Sequence, residues 1–358
     1  MASLPVPEEI ARVLSERVVG QETAVREMAI ALAKKLAGLS VGNILMIGAS
    51  GTGKTTLMRA VEEYLAQRPD LDQRSTLIRV HASILAESTY GANPGGRLLL
   101  RLLERAREQV GNDGDARRLV QRVAGGIVFI DEVDKIRARV GGQANVDGIR
   151  AQEALLTLIE NEAVPLELPG WAGGGQTTID SSRILFVCAG AFEGLYDSVY
   201  DRVTVGRDRG ALKAVTVVED GALRQETRFR LDDWLRHEDL FEYGMTPQFL
   251  ARFDAVVLLS PLERRQLVRI FLDSPESGLR QSIEFFAAHG IELKLSTKAT
   301  ERIAAEAARH PRLGARALKE VFRRVVRDHE FDPGMASRDG LLQLDEDAVE
   351  RALAAPIG

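Results

Sequence analysis

A single cysteine, Cys188, among 358 residues excludes an internal disulfide and any zinc site built on several thiolates. The same scarcity fits a reducing compartment, so the cytoplasm is the expected location. No stretch of 18 uncharged apolar residues occurs, which leaves no candidate for a membrane-spanning helix. The first nine residues carry acids and prolines where a secretion signal would carry bases and then an apolar run, so no leader is expected. Positive charge is not in excess: 47 Lys and Arg face 52 Asp and Glu, giving −5 formally and a pI near 5.7. With aromatics at only 5%, that balance argues against nucleic acid and anionic membranes as partners. The five histidines, His81, His237, His289, His310 and His329, show no metal-ligand spacing and suggest no hydrolase triad, so intrinsic peptidase activity is not expected. No internal repeat, coiled coil or low-complexity tract is present.

What is there belongs to a folded protein of about two domains at roughly 150 residues each. Hydrophobic residues make up 45% and charged residues 28%, close to globular averages. Residues 18–39 have apolar positions at helical spacing, and the short apolar run 44–47 follows after Gly42 and Asn43. Helices are predicted over 54–67 and 94–110, and buried strands over 76–81, 127–130, 184–187 and 256–259. Strands alternating with helices predict an α/β domain with a parallel sheet. Residues 111–118 read as a polar loop, 168–182 as a glycine-rich hairpin or loop, and 200–229 as a long inserted loop. From 260 onward the pattern is mostly helical (263–272, 278–288, 298–309, 315–328) with one strand at 291–295. The division is therefore a large α/β part, 1–259, preceded by a short helical segment, and a smaller helical part, 260–358.

The strongest chemical signal is Gly48-Ala49-Ser50-Gly51-Thr52-Gly53-Lys54-Thr55, a complete GxxxxGK[ST] pattern directly after a predicted strand and before a predicted helix. Glycines at these positions let successive N–H groups of Gly48, Ser50, Gly51, Thr52 and Gly53 face one concavity, and the helix start adds partial positive charge. Phosphate is the ligand such a concavity takes. Lys54 is placed to reach the β and γ phosphates, and the Thr55 hydroxyl to ligate Mg2+. A second signal, residues 126–132 (GIVFIDE), is an apolar strand ending in two carboxylates. Asp131 is then the candidate Mg2+ holder. Glu132 is the candidate base that orients the attacking water, since phosphoryl transfer needs mainly positioning and charge stabilisation.

With these motifs the chain resembles the AAA+ ATPases, and within them the ClpX and HslU unfoldase group, from about residue 18 to 354. Residues 154–160 (ALLTLIE), 183–195 (RILFVCAGAFEGL), 239–252 (DLFEYGMTPQFLAR) and 313–318 (LGARAL) resemble ClpX segments in the same order. The resemblance implies a large α/β subdomain, a small helical subdomain, and a homo-hexameric ring that hydrolyses ATP between subunits while threading or remodelling protein clients. It further implies that residues 18–21 (VVGQ), Val19 among them, contact adenine. It makes Arg252 the arginine that reaches a neighbour's γ-phosphate, and Arg316 the arginine acting within its own subunit. A planar, permanently charged guanidinium suits both positions. Tyr90, after the second core strand, falls where the family places the aromatic that grips polypeptide in the central pore.

Departures from the family matter as much. A lone cysteine leaves no place in this sequence for the four-cysteine zinc domain that usually begins a ClpX protein. The family's protease-docking tripeptide Ile-Gly-Phe does not occur within 200–229, where the tip reads VGRDRGALKAV. A tip carrying Arg207, Asp208 and Arg209 lacks the apolar anchor that docking needs, which counts against a ClpP-type peptidase and leaves Leu212 or 215–218 for a different partner. Residues 171–176 (WAGGGQ) are neutral where ClpX has a basic pore-entrance loop. After the strand at 184–187 come Cys188, Ala189 and Gly190, where many AAA+ proteins place a polar sensor. Two other readings share the ATP site: a nucleotide-gated assembly factor that does not thread, and a nucleic-acid motor using the arginines of 97–107 and 117–122.

Overall fold

The computed structural model describes residues 4–68, 76–86, 94–111, 115–160, 163–205, 215–219, 222–226, 229–336 and 339–355. The chain forms two compact units, one made of Met1–Pro7, Glu27–Ile47 and Glu62–Leu258, the other of Glu8–Arg26, Gly48–Val61 and Leu259–Gly358. The phosphate-loop segment therefore groups with the C-terminal helices.

The first unit is built on five strands, β1 Asn43–Ile47, β2 Leu77–His81, β3 Ile127–Asp131, β4 Leu185–Gly190 and β5 Phe253–Leu258. All neighbours are parallel, in the order β5-β1-β4-β3-β2. The expected α/β class with a parallel sheet is thus the one the chain adopts. Every residue of β4 is buried, as befits a strand covered on both faces. Helix Pro94–Val110 lays Leu98, Leu99, Leu102, Leu103 and Ala106 into the same core as Val128, Ile130 and Phe186. Each fully buried leucine contributes about 1.5–3 kcal/mol of transfer free energy. Registers Ile47↔Gly190 and His81↔Asp131 bring the carboxyl ends of the strands to one edge, where open α/β sheets bind ligands.

Several predicted elements differ from those observed. Of the helical pattern at 18–39, Glu22–Leu36 is helix while 18–21, where Gly20 has φ +75°, is not, and a separate helix, Pro7–Arg17, precedes it. The polar loop 111–118 gives way at Ala116 to a helix, Ala116–Ala124, whose N-cap Asp115 accepts from the Arg117 N–H. The glycine-rich excursion, by contrast, is the hairpin form expected of it, pairing Val164–Glu167 with Gln176–Ile179. The inserted loop 200–229 is not a loop throughout. Helix Leu195–Thr204 runs into it, and Val215–Glu219 pairs antiparallel with Ala222–Glu226. At its base Phe229 meets Tyr196 and Tyr200 edge-on, with centroids 4.9 and 5.3 Å apart.

The C-terminal part of the second unit packs helices Arg264–Asp273, Gly278–Ala288, Thr297–Ala308, Ala315–Phe331 and Glu346–Ala354 around Phe271, Phe286, Ile303, Phe322 and Val326. Ser277 and Ser296 cap two of these helices through their hydroxyl oxygens. A strand and helix absent from the sequence reading close the unit: Leu341–Leu344 pairs parallel with Glu292–Leu295, and Glu346–Ala354 follows. Among the described residues no helix is long and apolar enough to cross a membrane.

Candidate nucleotide site

Within the second unit, the loop 48–53 is closed by its own hydrogen bonds. The Thr52 hydroxyl donates to the Ala49 carbonyl at 2.8 Å, and the Leu57 N–H to the Gly53 carbonyl at 2.8 Å, starting helix Lys54–Ala66. Lys54 is 8% exposed, and its ammonium donates to the carbonyls of Gly48 and of Ala49, the latter at 2.8 Å. Gly51 and Gly53 have φ of +72° and +109°, values that favour glycine. Thr55 is half-buried on the first helical turn.

This loop is held from outside by two segments. Gln21, 4% exposed, donates from Nε2 to the carbonyls of Thr52 and Ser260, each at 2.9 Å, and its Oε1 accepts from the Ser260 N–H at 3.0 Å. Segment 18–21 thereby sits beside the phosphate loop: Val18 is buried, Val19 half-buried, and Val18 comes within 3.9 Å of where a Gly53 Cβ would stand. On the other side the Ala315 N–H donates to the Gly51 carbonyl at 3.0 Å. Gly314, at φ +49° and ψ −134°, would drive a Cβ to 2.6 Å from the Gly51 oxygen, and a Cβ on Gly51 would overlap the Leu313 carbonyl. Both glycines are required by this close approach. The structure thus brings Val18, Gln21, the phosphate loop and the turn carrying exposed Arg316 together in one unit.

Asp131 and Glu132 lie in the first unit, at the carboxyl end of β3. The Glu132 N–H donates to the Asp131 Oδ1 at 2.9 Å. Glu132 itself adopts φ +58° and ψ +35°, a left-handed conformation that costs about 1–2 kcal/mol for a residue with a Cβ. The turn swings its side chain outward, 56% exposed, to 3.8 Å from Nδ1 of His81 on β2. Asp134, buried two residues on, accepts from the Ala191 N–H at 3.2 Å. A Cβ on Gly190 would lie 2.5 Å from the Asp134 Oδ1, so glycine after Cys188 and Ala189 makes room for this carboxylate. Cys188 is fully buried, and burial pushes its thiol well above the usual range, which removes it as a nucleophile.

Arg252, also in the first unit, forms an ion pair with Glu160, and its carbonyl accepts from the Asn43 Nδ2 at 3.1 Å. Tyr90 and the tip 206–214, with Arg207, Asp208, Arg209 and Leu212, lie outside the described residues, as do the side chains of 215–218. Three of the arginines offered for nucleic acid are engaged within the chain. Arg122 is buried against Thr76 and Gln109, Arg105 pairs with Glu62 and Glu108, and Arg107 stacks 4.5 Å over Trp171.

Sequence reading missed Gln21 as a strut, Asp134 and Asn43. Gln21 stood inside the quoted VVGQ, but its partners are 31 and 239 residues away. Asp134 follows the acidic pair closely enough to have been considered with it.

A family model described as AAA domain (Cdc48 subfamily) matches residues 39–256. The chain is 31% identical to the ATP-dependent Clp protease ATP-binding subunit ClpX 3 of Methylococcus capsulatus, over 97% of this chain and 81% of that protein. It is 29% identical to the ClpX subunit of Bacteroides thetaiotaomicron, over 96% of this chain and 81% of the relative. Identity to the Azotobacter vinelandii ClpX subunit is also 29%, over 97% and 78%.

Proposed function

The chain belongs to the AAA family and, within it, to the ClpX group, and is an ATPase; from that premise we propose that it hydrolyses ATP between the subunits of a homo-hexameric ring to unfold or remodel protein clients. The observation that carries this reading is the hydrogen bond from Ala315 to Gly51. It seats the Arg316 turn on the phosphate loop, so the state of a bound nucleotide is felt by the C-terminal helices, and hydrolysis becomes movement. The reading takes 1–259 as the large part and 260–358 as the small part of each subunit.

Backbone N–H groups of Gly48, Ser50, Gly51, Thr52 and Gly53 hold the triphosphate, with Val19 beside the adenine. Lys54 exchanges its carbonyl partners for the β and γ phosphates. Thr55, with a neutral oxygen, and Asp131, with an anionic one, are the residues that would hold Mg2+. Among the described residues no cluster of His, Cys, Asp and Glu would by itself hold a metal. When bound, that ion would supply neutralisation of phosphate charge. Glu132, exposed and fixed by its strained turn, accepts the proton of the water that attacks the γ-phosphorus as the bond to the bridging oxygen breaks. Arg252 of the next subunit and Arg316 of the same one stabilise charge on the leaving oxygens. Tyr90 grips the client, and a ClpP-type peptidase is not the expected partner. The reading places the protein in the cytoplasm, where a lone cysteine stays reduced.

The test is Glu132→Gln, which keeps shape and removes the base. Captured with ATP from its native cells, it should retain varied proteins that are absent with ADP. Recovery of one fixed complex in both states, or of nucleic acid, would contradict client remodelling.

A further inference from the structure

Arg252 has to be aimed at a site it does not belong to, and the residues that aim it sit on one helix, Val146–Glu160. Midway along it Gln152, 2% exposed, makes four hydrogen bonds. Its Nε2 donates to the carbonyls of Ile136 at 2.8 Å and Gly244 at 3.0 Å; its Oε1 accepts from the N–H and the hydroxyl of Thr246 at 2.9 and 3.0 Å. Both donor protons and both acceptor lone pairs are used, so the amide is locked in one orientation.

The partners identify what is being joined. Ile136 ends the turn that begins at Glu132, the candidate base. Thr246 is the N-cap of helix Pro247–Leu250, and the Arg252 N–H donates to the Phe249 carbonyl at 3.2 Å. The junction is close-packed. The Ala138 N–H donates to the Gly244 carbonyl at 2.7 Å, and a Cβ on Gly244 would stand 2.9 Å from the Arg139 carbonyl. The guanidinium of Arg137 lies 4.8 Å over the ring of Tyr243, and a Cβ on Gly148 would overlap the Arg137 carbonyl. At its far end the same helix supplies Glu160, the ion-pair partner of Arg252. The chain leading to Arg252 and its guanidinium are therefore both fixed from this helix.

We propose that Gln152 is a positioning residue for Arg252, tying the turn that carries Glu132 in one subunit to the arginine that the same subunit presents to its neighbour. The inference rests on the reading of Arg252 as a residue acting on the next subunit's ATP. Because a shift of about 1 Å at a charge-stabilising group costs up to roughly a hundredfold in rate, loss of this amide is read in turnover and spares nucleotide binding.

The experiment is a double-mutant cycle on ATP hydrolysis with Gln152→Met and Arg252→Ala. Gln152→Met is expected to lower kcat by about tenfold or more with Kd for ATP changed less than about twofold, and to have no further effect once Arg252 is alanine. Equal fold-losses in both backgrounds would overturn the proposal, because a general structural defect multiplies, as would unchanged kcat. Should Gln152→Met fail to fold, Thr246→Val, which removes one of the four bonds, decides the matter: a loss of about threefold that vanishes in the Arg252→Ala background supports it, and a persistent loss or none overturns it. If Arg252→Ala alone leaves kcat unchanged, the reading of Arg252 fails, an outcome distinct from failure of Gln152.

Discussion

On the proposed reading the phosphate loop and the segment carrying Arg252 do comparable work on phosphate, and the two are built by opposite means. In the loop the ligand-facing groups are backbone amides, so the residues that make the site are the residues of the motif, and eight consecutive positions announce it. Arg252 is a side chain on an ordinary turn. Its placement comes from Gln152 and Glu160, far from it in sequence. Sites made of backbone are written locally, whereas sites made by aiming a side chain are written across the fold.

Substitution at the two regions should separate binding from turnover. Lys54→Ala is expected to abolish ATP binding and hydrolysis together, since it removes the ammonium that the loop itself holds. Arg252→Ala should leave ATP affinity nearly unchanged and lower kcat by about a thousandfold. Fluorescent-nucleotide titration beside steady-state hydrolysis checks both, and loss of affinity in Arg252→Ala would erase the contrast.

The outer supports of the loop come next. Gly314→Ala forces a Cβ onto the Gly51 carbonyl at a backbone conformation few other residues adopt. A destabilisation of about 1–3 kcal/mol is expected in denaturant unfolding, together with weaker ATP binding. Gln21→Leu leaves the carbonyls of Thr52 and Ser260 and the N–H of Ser260 without that partner, at a cost of about 1–3 kcal/mol per buried group left unsatisfied. ATP affinity unchanged in both variants would show that the loop needs no outside support.

The smallest effect lies away from both sites. Lys35 is buried, its ammonium donates to the Arg183 carbonyl, and desolvation, with Arg183 adding repulsion, lowers its pKa to about 8. A cation with a depressed folded pKa weakens the fold below that pH. The penalty shrinks as pH rises from about 8 toward lysine's ordinary value of 10.5, where the unfolded chain also loses its proton. Lys35→Met should therefore raise the thermal midpoint by a few degrees at pH 7 and by less at pH 9.5, in melts at matched ionic strength.

Much of the fold was legible because a parallel sheet buries its strands on both faces, and β1, β3 and β4 appear as plain apolar runs. The pair Val215–Glu219 and Ala222–Glu226 was read as loop even though Asp220-Gly221, a strong hairpin dipeptide, stands between them; the surrounding charge masked the alternation. Helix Ala116–Ala124 was hidden by its shortness and its four polar side chains on nine residues, although Asp115 is a clear N-cap. At the site, the residues of both nucleotide motifs were legible from spacing. Gly314 was legible only through resemblance, since its need for glycine depends on a carbonyl contributed by Gly51.

The most direct measurement mixes two variants, each nearly inactive alone: Glu132→Gln, which keeps Arg252, and Arg252→Ala, which keeps Glu132. In mixed rings some interfaces unite an intact Glu132 with a neighbour's intact Arg252, and random assembly of equal amounts should recover about a quarter of wild-type ATPase activity. Recovery on mixing is the predicted result; co-assembly without any recovered hydrolysis would contradict ATP hydrolysis shared between subunits.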